Sequence, residues 1–308
     1  MWVQVPPPAQ MNEKQKLLVI LGPTATGKSD LAVELARAFD GEVVSADSRQ
    51  IYRGLDIGTG KITREEMKGV PHYLLDIAEP DEQITVTEYK KIAQDTIASI
   101  HSRDKLPILV GGTGFYIQAV VDNVAFPEVP PDEELRATLE QKNTEELFAE
   151  LQEKDSQRAA TIEPDNKRRL IRALEVVEHV GKVPPLSTNA SPYDVLEIGL
   201  TLEMNELRER IQSRLEKRLH AGMINEAKNL HENGLPFERM IQLGLEYRYL
   251  AYYLQGDLSK GEMVDQLTTA IGQYAKRQRS WFKRDSRIQW FRPDEDKQIH
   301  AAVKKFLQ

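Results

Sequence analysis

Cysteine and long apolar runs are both missing from this sequence. The 308 residues include no cysteine, which excludes disulfide bonds, thiolate zinc sites and a cysteine nucleophile, and which fits a reducing compartment. The apolar run at residues 17–21 is far shorter than the roughly 20 residues that cross a bilayer. The first residues also lack a basic segment followed by an apolar stretch and a small-residue cleavage site. We therefore expect a cytoplasmic protein without a membrane partner.

An excess of positive charge is missing as well. The chain carries 41 lysine and arginine residues against 48 aspartate and glutamate residues, a formal net charge of −7. This balance argues against a protein that coats nucleic acid uniformly, but it permits a basic patch on an acidic body. The hydrophobic fraction of 40% and the charged fraction of 29% are typical of globular proteins. The length predicts two domains, or one domain that carries a large insertion.

The remaining pattern predicts an α/β fold. Short apolar runs alternate with helical periodicity through the first 120 residues, and such alternation is typical of a parallel sheet with helices on both faces. Predicted strands lie at residues 16–21, 42–46, 72–75, 106–110 and 197–202, and predicted helices at residues 29–39, 86–101, 205–221, 224–233 and 263–284. An acidic, all-helical stretch interrupts this series. We therefore predict a core of residues 1–121 and 196–308, with a helical insertion domain at residues 122–195.

A glycine-rich segment follows the first predicted strand and matches the pattern G-x-x-x-x-G-K-[ST]. It consists of Gly22, Pro23, Thr24, Ala25, Thr26, Gly27, Lys28 and Ser29. In a loop between a strand and a helix, backbone N–H groups face an anion, Lys28 adds a point charge, and the Ser29 hydroxyl is placed to bind magnesium. A plain glycine-rich turn is the alternative. The flanking strand and helix favour a phosphate site, and they leave the reaction open.

Two carboxylates compete for a role beside this loop. Asp47 follows the second predicted strand and Asp76 follows the third, so both are expected at the carboxyl edge of the sheet, where ligands of open α/β folds bind. Either could instead cap a helix or a turn, and the pattern does not decide between these roles. After the fourth strand, Gly111 and Gly112 allow a ligand to approach the backbone, and the Thr113 hydroxyl could donate to a phosphate oxygen. A tight strand-to-helix turn is the simpler explanation there.

Positive charge is concentrated near the C-terminus. Residues 268–292 hold seven basic residues and one acidic residue, which leaves a net charge of −13 for the rest of the chain. Four of these basic residues share a face at helical spacing: Lys276, Arg279, Lys283 and Arg287. Such a face with aromatic neighbours suits a nucleic-acid backbone and unstacked bases, although a solvated helix face is the ordinary alternative. Basic clusters at residues 167–172 and 208–218 favour nucleic acid, but interleaved glutamates make the second also typical of a salt-bridged helix.

Six segments, in order along nearly the whole chain, resemble the tRNA dimethylallyltransferase family. They are residues 22–29, 47–59, 71–76, 110–116, 168–175 and 275–282. The resemblance implies a P-loop NTPase-like parallel sheet flanked by helices, with an all-helical insertion domain that contacts tRNA. It also implies transfer of a dimethylallyl group from dimethylallyl diphosphate to N6 of adenosine 37, in tRNAs that read codons beginning with U, with release of diphosphate. The implied cofactor is Mg²⁺, the implied partner is the anticodon stem-loop of tRNA, and we expect a monomer.

The resemblance further implies a role for each matching residue. Residues 22–29 would hold the diphosphate of the prenyl donor, with magnesium bound at Ser29, and Thr24 would donate to the oxygen between prenyl group and diphosphate. Asp47 would accept a proton from the exocyclic amine of the adenine. Thr113 and Arg136 would contact tRNA and stabilise the transition state. The complete set implied to bind tRNA is Asp47, Ser48, Arg49, Gln50, Thr113, Arg136, Lys167, Arg168, Arg169, Lys276, Arg277, Gln278, Arg279 and Lys283.

The chain departs from the family pattern at two places. Ile271-Gly272 stands where the family usually has a Thr-Arg pair, and Leu245-Glu246 follows Gly244 in place of a tyrosine and a basic residue. The Asp-Asp-x-x-Asp pattern of other prenyl synthases is absent from the sequence, so that magnesium would rely on Ser29, the diphosphate and one carboxylate. Three other functions stay open from the residues alone: a small-molecule kinase, an isopentenyltransferase acting on free adenine nucleotides, and a non-enzymatic RNA-binding module.

Overall fold

A parallel sheet forms from the apolar runs of the chain. The structure is a computed structural model that describes residues 14–127 and 129–308. Its strands are β1 (Gln15–Leu21), β2 (Gly41–Ser45), β3 (His72–Tyr73), β4 (Leu106–Gly111), β5 (Val124–Ala125), β6 (Ser187–Thr188), β7 (Tyr193–Leu200) and β8 (Gln289–Phe291). Six of them form one sheet in the order β3-β2-β4-β1-β7-β8, and every neighbouring pair in it is parallel. The predicted α/β fold with a parallel sheet is confirmed.

Helices connect these strands and continue after them. They are α1 (Lys28–Ala38), α2 (Arg64–Met67), α3 (Val86–His101), α4 (Gly114–Val121), α5 (Glu133–Glu140), α6 (Thr144–Lys154), α7 (Ser156–Ala159), α8 (Lys167–Val180), α9 (Met204–His220), α10 (Met223–Glu232), α11 (Phe237–Leu243), α12 (Leu245–Gln255), α13 (Lys260–Phe282) and α14 (Asp296–Leu307). Reciprocal side-chain caps fix several starts, such as Thr85 with Glu88 at α3 and Ser259 with Glu262 at α13. None of the described helices is long and apolar enough to cross a membrane.

The two faces of the sheet bury alternate residues of β1. Leu17, Val19 and Leu21 pack on the face covered by α3 and α4, whereas Leu18 and Ile20 pack on the face covered by α1 and α14. This alternation follows from the two-residue period of a strand, and both faces are apolar because helices cover both. A third apolar cluster joins helices α9 to α13. The ends of β1, β2 and β4 are thereby held firmly at the edge where the glycine-rich loop lies.

Several boundaries differ from the sequence prediction. The fifth predicted strand begins at Tyr193, earlier than residue 197, while β8 and α14 were not predicted. A three-residue strand such as β8 is too short to show a period of its own. The long C-terminal helix ends at Phe282 instead of residue 284. Arg287 therefore lies beyond the helix, and its predicted place on one helical face with Lys276 and Arg279 is wrong.

The chain divides into two compact units. One comprises Met1–Asn123 and Ala190–Gln308, as far as these residues are described, and the other comprises Val124–Asn189. Predictions that concern residues 1–13 and Glu128 lie outside the described residues. The second unit has its own apolar core, which α6 and α8 share through side chains such as Leu147 and Leu170. It also contains the antiparallel pair of β5 and β6, which the prediction of an all-helical insertion did not include.

A buried carboxylate lies in β7. Glu197 is 4% exposed, and its Oε1 lies 3.3 Å from Nε of Arg287. Arg287 is shared with two further carboxylates, since Nη1 donates to Asp122 at 2.6 Å and Nη2 pairs with Asp285. Burial raises the pKa of Glu197 to about 7 despite the attraction of Arg287, and the other two carboxylates raise it further. Three carboxylates thus compete for one guanidinium.

We expect Glu197→Gln to stabilise the protein above pH 7. The folded chain holds the Glu197 proton up to about pH 7, whereas the unfolded chain loses it near 4.5. Stability from this proton is complete below pH 4.5 and is lost between pH 4.5 and 7, an effect of roughly 3 kcal/mol. The urea midpoint of the variant should therefore exceed that of the native chain at pH 8 and approach it at pH 5. Asp194→Asn, at an exposed site of the same strand, is the control; an equal midpoint at pH 8 for Glu197→Gln would contradict the assignment.

Candidate active site

The glycine-rich loop joins β1 to α1 and has a strained backbone. Gly22 has a φ of +139°, and a Cβ there would overlap the carbonyl oxygen of Leu200, so glycine is required. The buried Thr26 hydroxyl donates to Pro23 O at 2.9 Å. Ala25 has a φ of +63°, a conformation that costs a residue with a side chain about 1–2 kcal/mol. Strain of this kind persists where the surrounding structure enforces it, which is common at ligand-binding loops.

Lys28 is the charged residue of this loop. Its Nζ donates to Pro23 O at 2.6 Å, and it lies where the helix α1 begins. Burial lowers the pKa of Lys28 to about 7, Arg214 lowers it further by repulsion, and Asp47 opposes both. The charged form of a lysine in such a place is disfavoured, and a negatively charged ligand would stabilise it.

A cleft of about 330 Å³ opens above the loop. It lies at the carboxyl ends of β1, β2 and β4, the usual ligand position in open parallel sheets. Predicted site residues that line it are Thr24, Lys28, Ser29, Asp47, Ser48, Arg49, Gln50 and Gln278. Residues from α9, α12 and α13 complete its walls, among them Arg214, Arg218, Leu245, Glu246, Ile271 and Tyr274. The structure therefore brings the loop and the Asp47 segment together around one cavity.

Asp47 and Thr113 organise the turn between them. Oδ1 of Asp47 accepts the backbone N–H groups of Arg49 at 2.9 Å and Gln50 at 3.4 Å. The Thr113 hydroxyl accepts the backbone N–H of Ser48 at 3.0 Å, and the Thr113 N–H donates to Ala46 O. Thr113 also stands at the start of α4. The residues predicted as catalytic from two separate segments are thus adjacent, although the same contacts fulfil the turn role that the sequence analysis left open.

Asp76 has a different environment. It is half exposed and pairs with Lys61, whose Nζ lies 2.5 Å from Oδ1. Lys61 also contacts Asp56 at 2.6 Å and the carbonyl oxygen of Tyr52 at 2.8 Å. Asp76 does not line the cleft, whereas Asp47 does. The geometry favours Asp47 over Asp76 as the carboxylate beside Ser29; no group of three or more acidic or histidine side chains suited to a metal occurs among the described residues.

Gln278 has a structural function that the sequence analysis did not identify. Its side chain is buried; Oε1 accepts the Thr24 N–H at 2.9 Å and Nε2 donates to Gly112 O at 2.8 Å. The amide therefore joins the glycine-rich loop to the turn after β4. Both polar ends of the side chain are hydrogen-bonded in this arrangement, so that less of its hydrogen-bonding capacity remains for the predicted contact with tRNA. The sequence predicted Gln278 as part of a basic surface because Arg277 and Arg279 flank it.

Two arginines of α9 are cleft residues that were not among the predicted site residues. Arg214 contacts Thr24 Oγ1 at 3.5 Å, and burial lowers its pKa to about 10, with further lowering by Arg218. Arg218 is 11% exposed and pairs with Glu246 at 3.3 Å. The outward-facing Arg210 instead pairs with Glu206, as in the salt-bridged helix considered above. A sequence signal existed: Arg214 and Arg218 are four residues apart and flank the apolar stripe of α9.

Arg136 and the basic start of α8 belong to the second compact unit. Arg136 Nε lies 2.8 Å from Oε1 of the fully buried Glu175, which Arg172 also contacts. Burial alone would raise the pKa of Glu175. The N–H of Asp132 and the two guanidinium groups outweigh burial and bring this pKa below its usual value. Lys167 donates to the carbonyl oxygen of Glu140. The other two predicted residues of this segment are Arg168, which is exposed, and Arg169, which pairs with Glu163 at 3.2 Å.

The basic residues of α13 lie at its C-terminal end. Lys276, Arg277 and Lys283 are exposed, and the Arg277 guanidinium lies 5.9 Å from the ring centre of Tyr274. Arg279 is half-buried. Trp281 is 38% exposed, with the Arg284 guanidinium 5.9 Å from its ring. An exposed cationic surface beside an accessible indole is available at this end of α13.

Known proteins match this chain over most of its length. The family model described as IPP transferase matches residues 50–285. A tRNA dimethylallyltransferase of Anoxybacillus flavithermus is 40% identical over 297 residues, which cover 95% of each chain. The chain belongs to the IPP transferase family. The resemblance inferred from the six segments is confirmed.

Solved structures of IPP transferase relatives share this fold. The full-length tRNA isopentenylpyrophosphate transferase of Bacillus halodurans superposes with a TM-score of 0.73 at 40% identity, covering 96% of this chain and 97% of that one. A eukaryotic dimethylallyltransferase acting on tRNA gives a TM-score of 0.81 at 26% identity, covering 95% of this chain and 79% of that one. The likeness extends over nearly the whole of this IPP transferase chain, including both compact units.

We expect Gln278→Ala to loosen the glycine-rich loop. The change leaves the Thr24 N–H and the Gly112 carbonyl without their partner, which costs about 1–3 kcal/mol for each buried group that water cannot reach. The urea midpoint and the affinity for inorganic diphosphate should both fall. Gln273→Ala, at an exposed site of the same helix, is the matched control and should change neither. If the two variants behaved alike, Gln278 would not be what joins the glycine-rich loop to the turn after β4.

Proposed function

We propose that this chain is a tRNA dimethylallyltransferase that prenylates N6 of adenosine 37 in tRNAs reading codons that begin with U. The observation that carries the proposal is the shared cleft of the phosphate loop and Asp47, in a chain of the IPP transferase family. A phosphate site beside a carboxylate suits a reaction in which diphosphate leaves and a proton is removed. The donor is dimethylallyl diphosphate, and the acceptor is the anticodon stem-loop.

The diphosphate of the donor binds at residues 22–29. The beginning of α1 supplies backbone N–H groups and the positive end of the helix dipole, and Lys28 supplies a charge. Arg214 extends this cationic surface, since its Nη1 lies 3.5 Å from the Thr24 hydroxyl. Thr24 would then donate to the oxygen that bridges the prenyl group and the diphosphate. Donors fixed at that oxygen stabilise the charge that develops as the carbon–oxygen bond breaks.

A magnesium ion fits the residues of this cleft. The Ser29 hydroxyl and the Asp47 carboxylate are oxygen donors, which magnesium prefers, and both line the cavity that would hold the diphosphate. Ser29 would hold the ion together with phosphate oxygens. The Asp47 carboxylate would attract the ion from beside the site without binding it directly, which leaves that carboxylate free to accept a proton. When bound, magnesium neutralises part of the diphosphate charge. The absence of a larger acidic cluster among the described residues agrees with a site that the substrate itself completes.

In the transfer step, N6 of the adenine attacks the first carbon of the dimethylallyl group. The carbon–oxygen bond breaks and its electron pair leaves with the diphosphate, while the N6 proton passes to the Asp47 carboxylate. An exocyclic amine is a poor nucleophile and gains from a base within hydrogen-bond reach. Thr113, adjacent to this turn, and Arg136 would contact the tRNA and stabilise the transition state. The adenine must leave its stack, at a cost of a few kcal/mol.

The basic residues of α13 and of the start of α8 would bind the tRNA backbone. Lys276, Arg277, Arg279 and Lys283 form the α13 surface, with residues 167–169 as a second contact and Ser48, Arg49 and Gln50 near the target base. We place the enzyme in the cytoplasm, where tRNA is found. We also propose that it acts as a monomer. The helical unit of residues 122–195 would form part of the tRNA contact.

The decisive experiment supplies the purified protein with dimethylallyl diphosphate, magnesium and unmodified tRNA, and analyses the nucleosides by mass spectrometry. We expect isopentenyladenosine from tRNA and none from AMP, because the basic α13 surface has no purpose with a free nucleotide. Modification of AMP alone would favour an enzyme of free nucleotides. Consumption of ATP without prenyl transfer would favour a kinase, and tRNA binding without either reaction would leave an RNA-binding module.

We expect Asp47→Asn to abolish prenyl transfer and to leave tRNA affinity unchanged. Asparagine keeps an oxygen for the N–H of Arg49 but cannot accept a proton, so kcat should fall by about two to four orders of magnitude. Single-turnover transfer and tRNA binding in a filter assay measure the two quantities. Asp257→Asn, an exposed site in the loop after α12, is the control. Near-native turnover by Asp47→Asn would contradict its role as the base.

Removal of two exposed charges on α13 should weaken tRNA binding in a salt-dependent way. Each lost phosphate contact lowers the slope of log affinity against log salt by roughly 0.7–0.9, so Lys276→Ala with Arg277→Ala should lower it by about 1.4–1.8. Lys260→Ala with Lys297→Ala removes the same charge from other exposed sites and should leave the slope unchanged. Equal slopes for the two double variants would favour a merely solvated face on α13.

A further inference from the structure

Two arginines of α9 meet at one backbone turn in the cleft wall. Arg214 Nη2 donates to Gly60 O at 3.2 Å. Arg218 donates to Gly58 O at 3.2 Å and to Thr59 O at 3.3 Å. Gly60 has a φ of +61°, and a Cβ added there would overlap Nη2 of both arginines. The two guanidinium groups therefore lie beside each other, and glycine leaves room for them.

This turn is held from its other side by a carboxylate. Glu226 accepts the backbone N–H groups of Asp56, Ile57 and Gly58 at 3.0, 2.7 and 2.8 Å. It also accepts the hydroxyl of the buried Tyr247 at 2.6 Å. Four donors on one carboxylate fix the position of the turn, and the carbonyl groups on its opposite side fix the two arginines. The arginines are consequently preorganised before any ligand binds.

Arg218 has donors to spare in this arrangement. A guanidinium carries five N–H donors, and the contacts described for Arg218 are the two carbonyl oxygens and Oε1 of Glu246 at 3.3 Å. Both members of the ion pair line the cleft, with exposed fractions of 11% and 21%. The pair thus faces the ligand cavity instead of the solvent surface or the apolar core.

We propose that Arg218 is a second diphosphate-binding arginine beside Arg214, and that Glu246 occupies it as a substitute anion until the diphosphate binds. This inference rests on the proposed function for the diphosphate site. Two adjacent cations in a partly water-excluded cleft repel each other and favour a ligand with several negative charges. Guanidinium groups suit phosphate oxygens because their paired N–H donors match the oxygen spacing. Arg214 contacts the loop side of the diphosphate, and Arg218 binds the terminal phosphate.

The proposal predicts opposite effects from the two halves of one ion pair. Arg218→Met should weaken the binding of inorganic diphosphate in the presence of magnesium by about tenfold, the usual size of one lost charge-assisted contact. Glu246→Gln should strengthen it, because the substitute anion is removed. Arg218→Lys keeps the charge without the paired donors and should bind between the native protein and Arg218→Met. Isothermal titration calorimetry measures all three, with thermal unfolding to verify the fold.

Matched controls come from the outer face of α9. Arg208→Met and Glu209→Gln change the same charges at exposed sites and should leave the affinity unchanged. A purely structural ion pair predicts that Arg218→Met and Glu246→Gln weaken binding and stability together, which would overturn the proposal. Native affinity in a folded Arg218→Met variant would also overturn it. If that variant does not fold, Arg218→Lys and Glu246→Gln decide: native affinity in the first, or weaker binding in the second, rejects the role.

Binding of inorganic diphosphate does not depend on prenyl transfer, so the two proposals fail separately. A native protein that binds diphosphate but forms no isopentenyladenosine contradicts the proposed function and leaves the Arg218 assignment testable by the same titrations. Native protein that prenylates tRNA, with Arg218→Met showing an unchanged KM for dimethylallyl diphosphate, contradicts the assignment alone. With the assignment correct, Arg218→Met raises that KM about tenfold and lowers kcat less, because the terminal phosphate is bound before and during transfer.

Discussion

Positive charge held in a partly dry cleft is the constraint on which this site depends. Four basic side chains line the cavity against two carboxylates: Lys28, Arg49, Arg214 and Arg218 against Asp47 and Glu246. Burial opposes the charged forms of Lys28 and Arg214, as their lowered pKa values show. Such an arrangement is unfavourable without a ligand and favourable with a polyanion. The free energy needed to hold the charges together must come from the packing of the surrounding elements.

That packing explains why rigid elements surround the cleft. The glycine-rich loop is joined to α13 by Gln278, the turn at residues 56–60 is fixed by Glu226, and both are attached to strands buried on two faces. Residues such as Ala25, with a positive φ, retain strained conformations because neighbours enforce them. A site preorganised in this way would lose little entropy on binding the proposed diphosphate. The same preorganisation would hold donors in place as negative charge moves onto the leaving group.

The sequence predicted those parts of the molecule that depend on short-range spacing. The strand, loop and helix around Lys28 follow from a pattern of consecutive residues, and the parallel sheet follows from alternating strands and helices. Arg214 and Arg218 were not identified as site residues because their function depends on a turn more than 150 residues away in the chain. Gln278 was assigned to a basic surface because its neighbours in sequence are charged, whereas its contacts come from tertiary structure. The sequence left open whether Asp47 or Asp76 completes a magnesium site, whereas in the structure Asp76 pairs with Lys61 and only Asp47 lines the cleft.

The distribution of charge connects the cleft with the acidic net charge of the chain. A net charge of −7 opposes indiscriminate attraction of nucleic acid, whereas the exposed cations at the end of α13 provide a local attraction. The two departures from the family pattern fall in the cleft: Glu246 and Ile271 both line it. Glu246 brings a carboxylate to a position where the family usually has a cation, and Arg218 places a cation beside it. The cleft thereby keeps a net positive charge while the position of its cations changes, which is the result expected if the charge of the ligand, and not the identity of any one residue, is what the cleft must match.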